Sequence, residues 1–370
     1  APDSNGIRTI TTEIITQENE IQKLTAKWSA ATNTVSLSTK TMGTEVSATT
    51  KLIQGFANKW KQLAQYMTAM YLNPYMLIYR IRDMITTVSE LDYELMDLRK
   101  TADMSTSELH EFYLESNNVA KEMGVSTKEI LSQASAWSRL GYNTKQTATE
   151  MAKLSSQFAT ISPGMEVDEA TTGLVSVMKA FDITTDEVKS EIMDKINIVG
   201  NNFATNNQEI IEGLQRMASA MASTGADLED TIALFTAGQE VVQDAEQVGS
   251  AIKSFSMRIR GMEETGEYLD ELKDIKGDVY ELTNGKVHIM EDENTYRPVL
   301  DILRDISEVW SEITDKNRAK LLEKLFAKTR ANVGAAVLQN FQQAEKSLEV
   351  MENSAGSSDK EMSIAQDTLD

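Results

Sequence analysis

The chain has 370 residues, with 57 Asp or Glu against 36 Lys or Arg, a formal net charge of −21 and no cysteine. Its length is more than one compact core usually organises, so two or three units are expected. The acidity excludes a protein that coats duplex nucleic acid, which needs a basic surface to release counterions, and no sequence-specific nucleic-acid binding is expected; the missing thiols exclude a disulfide framework, a thiolate metal site and a cysteine nucleophile, and suit a reducing cytoplasm.

No basic and apolar leader precedes Ala1-Pro2-Asp3, and the sequence stops at Asp370 without an obvious end, so it is read as an excerpt of a longer chain. Charge is uneven along it: residues 1–90 carry 9 Lys or Arg against 7 Asp or Glu, whereas 91–370 carry 27 against 50. The two segments are therefore expected to have different surroundings.

Residues 1–60 read as an extended helical or coiled-coil arm. Counting in sevens gives Ile7, Ile14, Ile21, Trp28, Val35, Met42, Thr49, Phe56, Leu63 and Met70, a nearly continuous apolar seam. The companion seam is poorer, with Gln17, Ser38, Glu45 and Lys59, and half of the residues between Ser29 and Thr50 are Ser or Thr, which compete for backbone hydrogen bonds. A helical arm packed on identical chains and two helices with a loose join both fit this pattern. Residues 61–90 contain an uncharged run, QLAQYMTAMYLNPYMLIY, from Gln62 to Tyr79. Its length and its tyrosines suit a segment that enters a membrane. Gln62, Gln65, Asn73 and Pro74 argue instead for a buried helix pair in an oligomer.

From residue 91 the pattern is an array of short capped helices. Ser or Thr recurs three places before Glu or Gln at Ser105/Glu108, Ser126/Glu129, Thr184/Glu187, Thr205/Gln208 and Ser358/Glu361. Gly124, Gly141, Gly225 and Gly238 fall where apolar periodicity pauses and are read as helix ends. Ile130, Leu131, Ala134 and Trp137 share one helical face and are read as core. Residues 91–262 form the helical core by this reading, and 263–350 a helical subdomain. Within the latter, alternation around Asn284-Gly285 predicts a small β-hairpin over 279–290. Pro298 suits the first turn of a helix running through Val299, Ile302, Leu303, Ile306 and Trp310. Residues 351–370 start a further helical segment. The expected fold class is all-α: an extended N-terminal arm, then capped helices, with that one hairpin.

Catalytic machinery is missing from the motifs. The two histidines, His110 and His288, lie far apart in sequence, and His110-Glu111 lacks the second histidine four residues on that a helical zinc site needs. Neither a nucleophile elbow nor a phosphate-cradling glycine loop is present. No catalytic, cofactor-binding or metal-ligating residue is assigned, no cofactor is expected, and the chain is read as a non-enzyme. The stretch VGSAIKSFSMRIRG, Val248 to Gly261, carries three cations in an acidic chain. An anion site is one reading of it. The favoured reading is structural: Gly249, Ser250 and Ala251 permit close helix contact, while Lys253, Arg258 and Arg260 meet nearby acids such as Glu263 and Glu264.

Several motifs in order carry a family resemblance: Leu91–Lys100 (LDYELMDLRK), Ala120–Ser155, VGSAIKSFSMRIRG, and Leu321–Phe341 (LLEKLFAKTRANVGAAVLQNF). With the segment at Trp60 they cover most of 56–345, and together they resemble the core region of phage tail tape measure proteins. The chain departs from that pattern at Ser250, often Thr, and at Ala327, often Gly, where a different helix junction is expected because Ala tolerates positive φ poorly. The resemblance implies a structural virion protein of the tail lumen, present in the host cytoplasm during assembly, that sets tail length and templates tail tube assembly. It implies as partners identical chains, the tail tube protein, tail assembly chaperones and distal tail or baseplate proteins, and the host membrane at DNA ejection. The alternatives are a tail-associated cell-wall hydrolase segment and a bacterial helical scaffold of a secretion or signalling apparatus.

Overall fold

The computed structural model describes the backbone of residues 7–15, 21–29, 34–42, 93–96 and, apart from 124, 143–144 and 264–265, of 106–367. The chain divides into two compact units, Ala1–Lys153 and Leu154–Asp370. From 93 onward the described elements are helical.

The N-terminal stretch corrects the expected helical arm. Residues 7–42 form an antiparallel meander of β1 (Ile7–Ile15), β2 (Ile21–Ser29) and β3 (Thr34–Met42), with Ile7 opposite Ser29 and Trp28 opposite Val35. Seven of the nine residues of β1 are Ile or Thr, whose branched Cβ favours an extended backbone. The sevenfold apolar seam has a second origin: β1 starts at residue 7 and β2 at residue 21, so one strand with its turn spans two heptads. The rest of the expected arm, 43–60, and the apolar segment 61–90 lie outside the described residues. Among the described residues no helix is long and apolar enough to cross a membrane.

The first unit continues with α1 (Thr106–Met123), α2 (Thr127–Arg139) and the start of α3 (Lys145–Thr160). Leu109, Phe112 and Ala120 of α1 pack with Ile130, Leu131 and Ala134 of α2 and with Ala148 and Ala152 of α3. The expected face of α2 is buried through Trp137, which meets Tyr142 edge-on at 5.3 Å. Ser126 caps α2, its hydroxyl accepting from the Glu129 amide at 3.1 Å.

The second unit places α4 (Val167–Phe181), α5 (Asp194–Asn202), α6 (Asn207–Ser223), α7 (Leu228–Val242), α8 (Ala245–Arg258), α9 (Ile275–Leu282), α10 (Val299–Val309), α11 (Asp315–Phe326), α12 (Ala331–Gln339), α13 (Phe341–Met351) and α14 (Ser357–Asp367). Every residue of α7 from Thr231 to Gln239 is buried, as expected of a helix enclosed on all sides. It is flanked by α6, α8, α12 and α13, while α6 also packs on α4 and α8. α8 packs on α11, so segments on either side of residue 262 share one core.

Local signals hold in part. Thr184 and Glu187 form a tight turn, the Thr184 amide and hydroxyl donating to the Glu187 carboxylate at 2.9 and 2.6 Å, which holds that carboxyl below its ordinary value. At α6 the cap is one residue later than expected: Asn206 accepts from the Glu209 amide at 3.0 Å, and Thr205 bonds the Glu209 side chain. Gly141 and Gly225 take positive φ at helix ends, whereas Gly238 lies inside α7 with Val248 against it.

The hairpin expected at 279–290 is not formed. Ile275, Val279 and Leu282 are buried at helical spacing, and α9 runs through the first third of that stretch. Asn284 and Gly285, at φ 56° and 77°, end the helix instead of joining strands, with the Gly285 amide donating to the Tyr280 carbonyl at 2.7 Å. Positive φ serves a helix terminus as well as a hairpin turn, and burial on the 3.6-residue period decided between them.

The expected box at Ser358/Glu361 is also replaced. α14 begins at Ser357, and its cap is Asp194, 164 residues upstream of Ser358. The Asp194 carboxylate accepts from the Gly356 amide at 2.8 Å, the Ser358 amide at 2.9 Å and the Ser358 hydroxyl. A π-helical turn, Val188–Met193, precedes Asp194 and puts Lys189 five residues before it. Lys189 binds Asp359, and Asn197 donates to Ser357 at 2.7 Å, so one polar row on α5 receives the first turn of α14.

Ala327 keeps the backbone that a glycine would favour, at φ 64° and ψ 161°, between α11 and the single turn Lys328–Arg330. A Cβ in this region is strained by about 1–3 kcal/mol, partly offset because glycine loses about 0.5–1 kcal/mol more in chain entropy on folding. Ala327→Gly is expected to stabilise the protein by about 1 kcal/mol, read as a higher urea midpoint at unchanged slope.

Candidate functional site

The stretch that drew attention in sequence is α8 and the turn after it. Asp244 starts the helix, its carboxylate accepting from the Gln247 amide at 3.0 Å. Val248, Gly249, Ala251, Ile252 and Phe255 are buried. A Cβ on Gly249 would stand 2.6 Å from the Gly213 carbonyl oxygen and 3.0 Å from Arg216 Cβ, so α8 meets the backbone of α6 directly. Gly213 in turn leaves room for the Phe235 ring of α7. The close helix contact expected from Gly249-Ser250-Ala251 is present. Gly213, its counterpart, carries no sequence signal of its own beyond a glycine inside a helical period.

The basic end behaves differently from the acid pairing expected with Glu263, while Glu264 lies outside the described residues. Arg258, only 7 % exposed, donates from Nε to the Lys324 carbonyl at 2.6 Å and from Nη2 to the Glu323 carbonyl at 3.5 Å. Its carboxylate partner among the described residues is Glu271, at 3.0 Å. Arg260 donates to the Ser256 carbonyl at 3.0 Å and the Thr224 carbonyl at 3.1 Å, and lies 5.0 Å from the Tyr296 ring centre. Burial lowers the Arg260 guanidinium from its ordinary value, with Tyr296 opposing. Lys253 forms no ion pair among the described residues. The carbonyls engaged belong to the last turns of α11 and α8 and to the C-cap of α6, so the two arginines cap helix C-termini, where carbonyls lack partners and the helix dipole is negative. An anion reading has no support here, because both guanidinia are occupied by the protein's own oxygens.

A second electrostatic cluster lies where α7 and α10 begin. Asp230, in the first turn of α7, has its carboxyl pushed up to about 6 by burial first, then by Asp227, Asp301 and Glu229, with Arg304 opposing. Arg304 pairs with Asp301 at 2.5 Å and with Glu345 at 3.4 Å and lies 5.9 Å from the Phe341 ring centre.

An open cleft of about 670 Å³ lies among α5, α7 and α13, lined by Asn202, Phe203, Glu240, Gln343, Lys346 and Glu349 among others. His288 is exposed and stacks on Tyr280 at 4.9 Å, and His110 lies on α1. Among the described residues no group of three or more His, Asp or Glu could hold a metal ion.

Two outcomes follow from this geometry. Gly249→Ala, which in an open helix would gain about 0.5–1 kcal/mol, is expected to lose about 1–2 kcal/mol here through overpacking against the Gly213 backbone. Thermal unfolding of the variant measures it, and a gain would show that α6 and α8 can separate freely. For Asp230, the folded state holds its proton more tightly than the unfolded chain. Its contribution is fully present below about pH 4, the unfolded value, and is lost as pH rises through about 6. The full difference corresponds to about 3 kcal/mol, reduced by solvent at this half-exposed group to about 1 kcal/mol. Asp230→Asn is therefore expected to be the more stable protein at pH 7 by that amount and to match wild type at pH 4, in urea titrations at both values.

The chain was compared with known families and structures. No solved structure matches it. The family of phage-related minor tail proteins matches residues 115–327, more than half of the chain, from within α1 to the end of α11. The chain belongs to the phage-related minor tail protein family.

Proposed function

We propose that this chain is a structural component of the phage tail and acts as its tape measure, lying in the tail lumen while tube subunits polymerise around it. The observation that carries this reading is the coincidence of two independent extents. The family match covers 115–327, and within it fall the ordered motifs Ala120–Ser155 and Val248–Gly261. A role without catalysis is in keeping with a candidate site in which Arg258 and Arg260 are spent on helix ends and not on a ligand. Identical chains, the tube protein, assembly chaperones and distal tail proteins are the proposed partners. Segment 62–79 is proposed to meet the host membrane at ejection.

The test is length. The 7–42 meander pairs its three strands in chain order, so an in-frame deletion of it from the full-length protein removes one contiguous element. If it stays folded in the tail it contributes one strand length, about 30 Å for nine residues. Paid out as helix, the same 36 residues would contribute about 54 Å. Tails of phage carrying the deletion are expected to shorten by an amount between these, measured on electron micrographs. Tails of unchanged length would refute the ruler role for this segment, and clearing of a peptidoglycan gel by the purified chain would establish the hydrolase instead.

A further inference from the structure

α11 carries lysines at 316, 320 and 324, each four residues from the next, so they lie in one row along the helix. The row is used at one end. Lys324 binds the Asp278 carboxylate and the Glu271 carbonyl, at 2.8 and 2.7 Å, and these belong to the excursion between α8 and α10 of the same molecule. Lys316 and Lys320, two turns and one turn nearer the N-terminus, are exposed and form no ion pair among the described residues.

The same excursion presents a matching surface. Tyr268 is 82 % exposed, yet its backbone is fixed: it bridges Met262, the Leu269 amide donates to the Gly261 carbonyl at 3.0 Å, and the Glu263 amide to the Glu267 carbonyl at 2.7 Å. Exposed Glu263, Glu267 and Asp270 surround it in sequence. An exposed tyrosine on a hydrogen-bonded turn, with exposed carboxylates close in sequence, suits a partner that offers ammonium groups at helical spacing, through ion pairs and cation–π contact.

We propose that the Tyr268 turn of one copy docks on the Lys316–Lys320 face of α11 in a second copy. The argument is charge complementarity between two surfaces of a chain whose net charge is −21, where an exposed and unmatched basic row has few partners other than another copy's acids. Because the turn and the row are different surfaces, the contact is heterologous and continues from copy to copy. It rests on the reading of several identical chains side by side in the tail, which supplies the high local concentration that a salt-sensitive surface contact needs.

Sedimentation of the whole chain at low and at high salt tests it with two charge-reversed variants, Lys316→Glu/Lys320→Glu and Glu267→Lys/Asp270→Lys. All four positions are exposed, and thermal unfolding confirms that each variant folds. Wild type is expected to self-associate at low salt and dissociate at high salt. Each variant alone is expected to associate at least about tenfold more weakly, and an equimolar mixture of the two to regain association, because one reversed face then meets the other. Wild type that stays monomeric at low salt, a variant that associates as wild type does, or a mixture that fails to recover would overturn the docking. None of these outcomes alters tail length in the deletion experiment, so this contact and the ruler role fail separately.

Discussion

The second unit depends on the direct meeting of two backbones, α6 at Gly213 and α8 at Gly249. Ridges-into-grooves packing usually leaves helix axes 8–10 Å apart, with side chains setting the spacing. Here glycines meet at the crossing, and a Cβ on residue 249 would stand 2.6 Å from the Gly213 carbonyl oxygen. The approach fixes α8 along its length, and the position of its last turn follows. Arg258 reaches the final carbonyls of α11, and Arg260 the C-cap carbonyl of α6, only because the helix that carries them is seated at that depth. Widening the crossing would lift Arg258 from the α11 carbonyls and Arg260 from the α6 C-cap carbonyl, leaving two helix ends without them.

Such a use of arginine suits an acidic chain. A surplus of carboxylates could satisfy every guanidinium as surface ion pairs, each contributing about 0–1 kcal/mol. Buried charge-assisted bonds to carbonyls contribute more, about 1.5–3 kcal/mol, and they also resolve the orphan acceptors that end every helix. Asp194 is the mirror case. It is 4 % exposed and forms no ion pair among the described residues, and its carboxylate is compensated by two amides and a hydroxyl at the positive end of α14. Opposite charges are thus placed at opposite helix poles: arginines at C-termini, an aspartate at an N-terminus.

These placements explain which parts of the fold could be read in the sequence. Ser126 was legible because its partner Glu129 lies within one turn, and Trp137, the run from Val299 to Trp310 and the small residues at 249–251 because their spacing or size marks a helix face to be buried. Asp194 was not, because its partners lie more than 160 residues away and the residues around it read as ordinary helix. Ser358 has the spacing of a local cap, and that box was read correctly as a helix start but with the wrong acceptor. Of the described residues, Glu271 and two carbonyls of a helix some 65 residues on receive Arg258, and not Glu263, which is nearer in sequence, because tertiary packing and not chain distance sets what a buried guanidinium meets.

Two misread segments share a cause. A helix seam and a meander with turns can present the same spacing of apolar residues, and in 7–42 the spacing of strand starts by two heptads makes them coincide. Composition separates them, since the same stretch is rich in Ile and Thr, and the Ser and Thr that weakened the helical reading are compatible with strands. At 279–290 the ambiguity runs the other way: alternation and Asn-Gly pointed to strands, yet Ile275, which lies outside the alternating window, sets the helical period with Val279 and Leu282. In both places the deciding information is the set of residues that must be buried together, and a window has to include all of them. For 275–282 that window begins four residues before the alternating stretch, and for 7–42 it takes in all three strands.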